Sequence, residues 1–227
     1  MAGEGHLTET ENKTKPKARI ESLADLIFGL ALSVGAISLV SSFPSDVRGI
    51  YNDLVTFGFS FFVLITMWLR YTRIMSVFPL ESKRVVNLNI MLLFCVSVEP
   101  FLFNLLRGST GVSDPIAFAD TSSTLYALDL GAMFAILGGF TLDLASEERK
   151  LIPKELTRQY KIEGGVWFLS GAIFCVTALP IFFVTKIPGG LPLRYYLWLL
   201  PVVILYLGRF AERIGERDQP KPSSGAG

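Results

Sequence analysis

The sequence predicts an all-α integral membrane protein with six transmembrane helices, N- and C-termini cytoplasmic, and no pore-loop filter. Three observations carry this. Of 227 residues, 51% are hydrophobic and only 18% charged, which is too apolar for an ordinary soluble domain of this length. Six apolar segments approach the roughly 20 residues needed to cross a bilayer. The basic residues also alternate in density from one connecting segment to the next, as they do in proteins that keep Lys and Arg on the cytoplasmic side.

Taken in order, residues 1–18 are rich in Gly, Thr, Lys and Glu with no apolar run, and read as a disordered cytoplasmic tail. No short apolar core with a small-residue cleavage site marks a signal peptide. The six-helix domain occupies 19–215. Its expected spans are Ser22–Phe43, Asp53–Leu69, Arg84–Leu106, Ser123–Ala145, Gly164–Ile187 and Leu191–Phe210. The second is the shortest, and the fourth carries two acids, Asp129 and Asp143. Residues 216–227 form a second polar tail, also expected to be disordered and cytoplasmic.

With the N-terminus inside, 17 of the 21 Lys and Arg fall on the cytoplasmic side and 4 (Arg48, Arg107, Lys186 and Arg194) on the other. Adding or dropping a span scrambles this split. Pro44, Gly108, Gly111 and the turn Pro188-Gly189-Gly190 punctuate the segments. Tyr51, Trp68, Tyr71, Trp167, Tyr195, Tyr196 and Trp198 lie near span ends, where an interfacial aromatic belt is expected. No internal duplication is visible.

Net charge is +1, so no global field favours nucleic acid. Cys95 and Cys175 both fall in apolar segments, which argues against a disulfide framework or a metal site. His6 is the only histidine and lies in the tail, so a nucleophile–base set has no base. The sequence has no Thr-Val-Gly-Tyr-Gly filter, no Arg ladder and no Gly-Lys-Ser phosphate loop.

The first span opens with Arg19-Ile-Glu-Ser-Leu-Ala-Asp25, an acid about 9 Å along the helix from a base. Asp25 either binds a transported cation or proton, or holds a buried polar network with Arg19, Glu21 or a residue on another span. At 100° per residue, Leu26, Leu30, Ser33 and Ile37 share one side of the helix, with Val34 at its edge. Such a stripe can line a narrow passage and close it by dewetting. It can equally pack on a neighbouring helix through Gly29, Ser33 and Ala36. Glu99, just before the kinking Pro100, and Asp129 are further intramembrane acids. Glu99 is either hydrated by a vestibule, or a snorkelling or locally hydrogen-bonded acid. Asp143 is expected at the interface.

Arg19-Ile-Glu-Ser-Leu-Ala-Asp25-Leu-Ile-Phe resembles the Arg-x-x-x-Phe-Ser-Asp signature of the transmembrane protein 175 family of cation channels. Trp68 followed by Arg73 is similar to the Trp-and-His end of that family's second span. Asn87-Leu-Asn89-Ile-Met-Leu-Leu-Phe94 with Pro100-Phe101 resembles its third. Spans one to three carry the likeness; the rest matches by layout. The resemblance implies a homotetramer in which span one of each subunit lines the pore. It places hydrophobic constriction on Leu30 and Ile37, and a hydroxyl layer on Ser33. Arg19, Asp25, Trp68, Tyr71 and Asn89 then form the polar network supporting the pore helix. This chain departs from the pattern at Leu23 and Ala24, which replace the signature Phe and Ser. Val34 stands where some members have leucine, Glu99 replaces an apolar residue, and the expected histidine near Tyr71 is missing.

The expectation is a potassium-permeable cation channel in the cell membrane, multi-pass and not an enzyme. Its partners are the lipid bilayer, monovalent cations and copies of itself, with no nucleic acid. It needs no cofactor or resident metal beyond the permeant monovalent cation, K+. The rival readings are a proton-coupled carrier using Glu99 or Asp129 and a non-conducting membrane scaffold.

Overall fold

The computed structural model describes residues 4–41, 46–78, 83–108, 112–146, 151–187 and 190–205, with backbone alone for 4–17 and 41. The described residues form seven α-helices: α1 (Glu4–Ser41), α2 (Val47–Val77), α3 (Lys83–Arg107), α4 (Pro115–Leu144), α5 (Lys154–Thr177), α6 (Pro180–Val184) and α7 (Leu193–Leu197). Four helical stretches are long and apolar enough to cross a membrane: Ala18–Val40, Val47–Val77, Lys83–Arg107 and Pro115–Leu144.

Capping explains the sharp starts of α2 and α4. Asp46 Oδ1 accepts from the Gly49 N–H at 2.8 Å. Asp114 Oδ1 accepts from the N–H groups of Ile116 (3.1 Å) and Ala117 (3.0 Å), and Pro115 occupies the first turn, where its missing donor costs nothing. The second helix is far longer than the expected Asp53–Leu69: its ends carry Arg48, Arg70 and Arg73 on helical backbone. Charge at its ends hid its length from an apolar-window reading.

Three further expectations change. Helical backbone begins at Glu4, where a disordered tail over 1–18 was expected; Glu, Lys and Thr tolerate helix even without an apolar face. The expected fifth span, Gly164–Ile187, is not one helix. Pro180 lacks a backbone donor and pushes the preceding residue out of the helical region, so Leu179 is extended (φ −63°, ψ 138°) and α5 ends before α6 begins. The last apolar helix runs over Leu193–Leu205 with a turn at Trp198, as Pro201 removes the bond its N–H would make to Leu197. Its expected continuation to Phe210, and the tail 216–227, lie outside the described residues.

One aromatic core joins α2, α3, α4, α5 and the last helix. Trp167 and Trp198 belong to it rather than to an interfacial belt: Trp167 packs on Phe134 (ring centroids 5.2 Å apart), and Trp198 on Tyr126 (5.4 Å) and Tyr195 (5.1 Å). Trp198 Nε1 donates to Thr177 Oγ1 at 3.1 Å, so its one polar atom is satisfied inside. Helices α4 and α5 approach through glycines. A Cβ on Gly171 would lie 2.9 Å from the Gly131 carbonyl oxygen, and one on Gly131 would lie 2.6 Å from Cys175 Sγ. Gly138 and Gly164 continue this seam against Phe168 and Leu142, which is the small-residue packing membrane helices use.

Candidate functional site: the free face of α1

Helix α1 packs with one side only. Ala24, Phe28, Ala31, Gly35 and Ser38 are buried against α2 and α3. These positions recur every three or four residues, so they form a single stripe. Gly35 lets Phe57 of α2 come close, and Phe28 meets Tyr71 with ring centroids 5.8 Å apart. The opposite side is open. Leu26 is 58% exposed, Leu30 54%, Val34 49% and Ile37 65%, with Ser33 exposed among them. The Ser33 hydroxyl donates to the Gly29 carbonyl at 2.8 Å. Its proton is therefore committed to the helix, and its oxygen lone pairs face outward.

Both ends of this segment are held. Near its N-terminal end, Trp68 Nε1 donates to Asp25 Oδ1 at 2.8 Å. Near its C-terminal end, Arg107 of α3 donates to the Ser38 carbonyl at 2.9 Å and forks onto Asp53 of α2. In that fork Nε reaches Oδ1 at 3.0 Å and an Nη reaches Oδ2 at 2.6 Å. Bidentate pairing fixes direction as well as charge. The exposed stripe thus sits on a helix pinned to its own subunit at two points.

Of the expected polar network, Asp25 and Trp68 are joined directly, and Tyr71 and Asn89 lie buried beside them. Arg19 is exposed and borders a surface recess with Ser22, Leu23 and Leu26, so it takes no part in the Asp25–Trp68 bond.

Sequence reasoning missed two buried arginines. Arg70, counted as a loop charge, is buried and ion-paired with Glu163 of α5, and donates to Thr141 of α4 at 3.1 Å. Arg194 is wholly buried. It donates to the carbonyls of Thr177 (2.7 Å), Ala178 (3.1 Å) and Leu179 (3.2 Å), freed where α5 breaks. It also meets Ser123 Oγ at 2.6 Å and Asp120 Oδ1 at 2.8 Å. The Leu-Pro pair at 179–180 was the available signal, because a helix broken in an apolar setting needs a donor for its freed carbonyls.

Glu99 is 1% exposed, which excludes the hydrated vestibule. Both Ser60 and Tyr126 donate to its Oε1, the latter at 3.1 Å. It is the locally hydrogen-bonded acid of the two expected alternatives. Asp143 lies near Arg84, at 3.7 Å.

The long apolar helices and the all-helical packing of the described residues define a multi-pass membrane protein. Residues 19–100 match the model of the family described as endosomal/lysosomal potassium channel TMEM175, an ion-channel family and not one of enzymes. The matched stretch covers α1 from Arg19 onward, α2 and most of α3, the same part that carries the signature residues. The crystal structure of a lysosomal potassium-selective channel TMEM175 homolog from Chamaesiphon minutus is similar in fold. It has a TM-score of 0.56 and 18% identity over 84% of this chain and 97% of that one. No curated protein sequence matches the chain.

Proposed function

We propose that the chain is a potassium-permeable cation channel, built as a homotetramer with cytoplasmic termini, whose pore is lined by α1 of each subunit. The observation that carries this reading is the free face of α1. In a single chain the helix bearing the family signature leaves Leu30, Ser33, Val34 and Ile37 uncovered, yet it is clamped on either side of that stripe by Asp25–Trp68 and Arg107–Ser38. A rigid helix with an uncovered apolar-and-hydroxyl stripe is suited to meeting copies of itself around an axis. Rings of Leu30 and Ile37 then close a narrow passage by excluding water. The Ser33 oxygens offer partial coordination to a cation shedding its hydration. Val34, one methylene smaller than leucine, leaves its level slightly wider.

Potassium flux into liposomes tests the constriction. Leu30→Ala is expected to raise flux and Leu30→Trp to abolish it; equal flux in both variants and the parent would contradict a gate at Leu30. The specific rival is a proton-coupled carrier working through Glu99, favoured by the burial of that acid among hydroxyls. It requires saturable, substrate-stimulated proton uptake that disappears in Glu99→Gln.

A further inference from the structure

The outward side of α5 changes character along its length. Lys154, Arg158 and Lys161 are all exposed, and at 100° per residue they fall within about 60° of one another around the helix. Ile162, Gly165, Leu169, Ala172 and Val176 continue this sector toward the C-terminal end, and they are exposed too. The opposite side of the same turns is anchored inside the protein. Glu163 pairs with Arg70 of α2, and the Arg70 guanidinium lies over the Tyr160 ring, 5.6 Å from its centroid. Gly164 and Gly171 close onto α4. These contacts fix the rotation of α5, so the basic turns and the apolar stripe face away from the bundle as one line. Helix α4, against which α5 packs, is long and apolar enough to cross a membrane. The stripe alongside it therefore meets acyl chains. The three bases span about 10 Å of helix, close to the roughly 5–8 Å depth of one headgroup layer.

We propose that the first turns of α5 form a binding site for an anionic phospholipid of the adjoining leaflet, its phosphate held by Lys154 and Arg158 with Lys161 beside them, and an acyl chain laid along Ile162, Leu169 and Val176. Charge complementarity carries the headgroup. Among the described residues no ion pair engages Lys154 or Arg158. Glu155 stands about 90° round the helix from the middle of the three bases. The position itself favours an anion. Lys154 opens α5, where the helix dipole attracts negative charge and opposes a cation, and Pro153 gives the first N–H groups no side-chain cap. A phosphate here satisfies the bases and the helix start together. Gly165 leaves bare backbone between the bases and Leu169, with nothing within 4 Å of an added Cβ, so a lipid glycerol can lie close to the helix. An excess of Lys and Arg on one side of a membrane does not require this arrangement, because it constrains which loops carry the bases and not which face of a helix does. The site does not depend on the pore reading, because binding is measured without flux.

Native mass spectrometry of the full-length protein in detergent, titrated with phosphatidylglycerol or with phosphatidylcholine, provides the test. The parent is expected to retain phosphatidylglycerol about tenfold or more tightly than phosphatidylcholine, at roughly fivefold per base. Lys154→Gln combined with Arg158→Gln is expected to remove most of that preference. Arg158→Gln alone is expected to lower it about fivefold and carries the test if the double variant fails to fold. Arg73→Gln combined with Lys83→Gln takes two charges from exposed positions on α2 and α3 at the same end of the bundle, and is expected to keep the preference. Millimolar glycerol phosphate, which has the anion without the acyl chains, is expected not to displace the lipid. Equal retention of the two lipids by the parent, equal loss in the two double variants, or displacement by glycerol phosphate would overturn the assignment.

Discussion

Arg194 shows how much a single buried side chain organises here. Its guanidinium spans the broken end of α5, the start of α4 and the last helix, and stacks over Phe183 with 5.3 Å to the ring centroid. Removing it leaves the Thr177 carbonyl without its side-chain donor and the Asp120 carboxylate without its ion-pair partner. Arg194→Ala should cost about 3–5 kcal/mol, seen as a large drop in thermal unfolding temperature in detergent. Arg194→Lys should recover only part of this, because an ammonium cannot make the same fork. An Ala variant as stable as the parent would show that the clamp is dispensable. The side of this arginine in the sequence said nothing of its burial. It lies just past a Pro-Gly-Gly turn and reads as a loop charge, and only the break at Pro180 creates its acceptors. Asp25 was more legible, since an acid inside an apolar helix requires a partner. The family resemblance placed Trp68 in the same network, and the structure joins the two directly. Trp68→Phe should destabilise by about 1–2 kcal/mol through the lost hydrogen bond to a charged group, measurable by the same unfolding assay, with Trp68→Tyr no better because its hydroxyl sits elsewhere.

Among the elements, α1 and the α4–α5 pair play opposite parts. Helices α4 and α5 close on each other through Gly131 and Gly171, with no room for a side chain between them. Gly171→Val should therefore force the pair apart at a cost of about 1–3 kcal/mol or more. Gly165→Ala, where nothing lies within 4 Å of an added Cβ, should be neutral; equal effects in the two variants would argue against the seam. Helix α1 instead keeps one face free while Trp68 and Arg107 hold it on either side of that face, at Asp25 and Ser38. Its periodicity disclosed the stripe, but periodicity alone does not separate a pore face from a packing face. The structure assigns packing to the Ala24–Phe28–Ala31 side and leaves the Leu30–Ser33–Ile37 side uncovered. Helix number and ends were less legible. Charged termini concealed the length of α2, and Pro180 divided an apolar run that hydropathy reads as continuous.

At the scale of the whole molecule, the apolar content pointed to the membrane, and the first three spans to a TMEM175 resemblance that the family match over residues 19–100 bears out. The second half matches only in fold, and there the buried arginines and the glycine seam do the organising. Leu30, Ser33 and Ile37 are uncovered in a single chain, so the proposed passage along α1 requires several copies. Oxidation of Ser33→Cys, in a Cys175→Ser background, should then link chains covalently in the membrane, read as dimers on a non-reducing gel. The most direct test uses the same variant reconstituted for potassium flux and treated with a positively charged thiol reagent. The account predicts that labelling at position 33 blocks flux, while labelling at Leu128→Cys on α4 does not. Full labelling at position 33 with undiminished flux would contradict it.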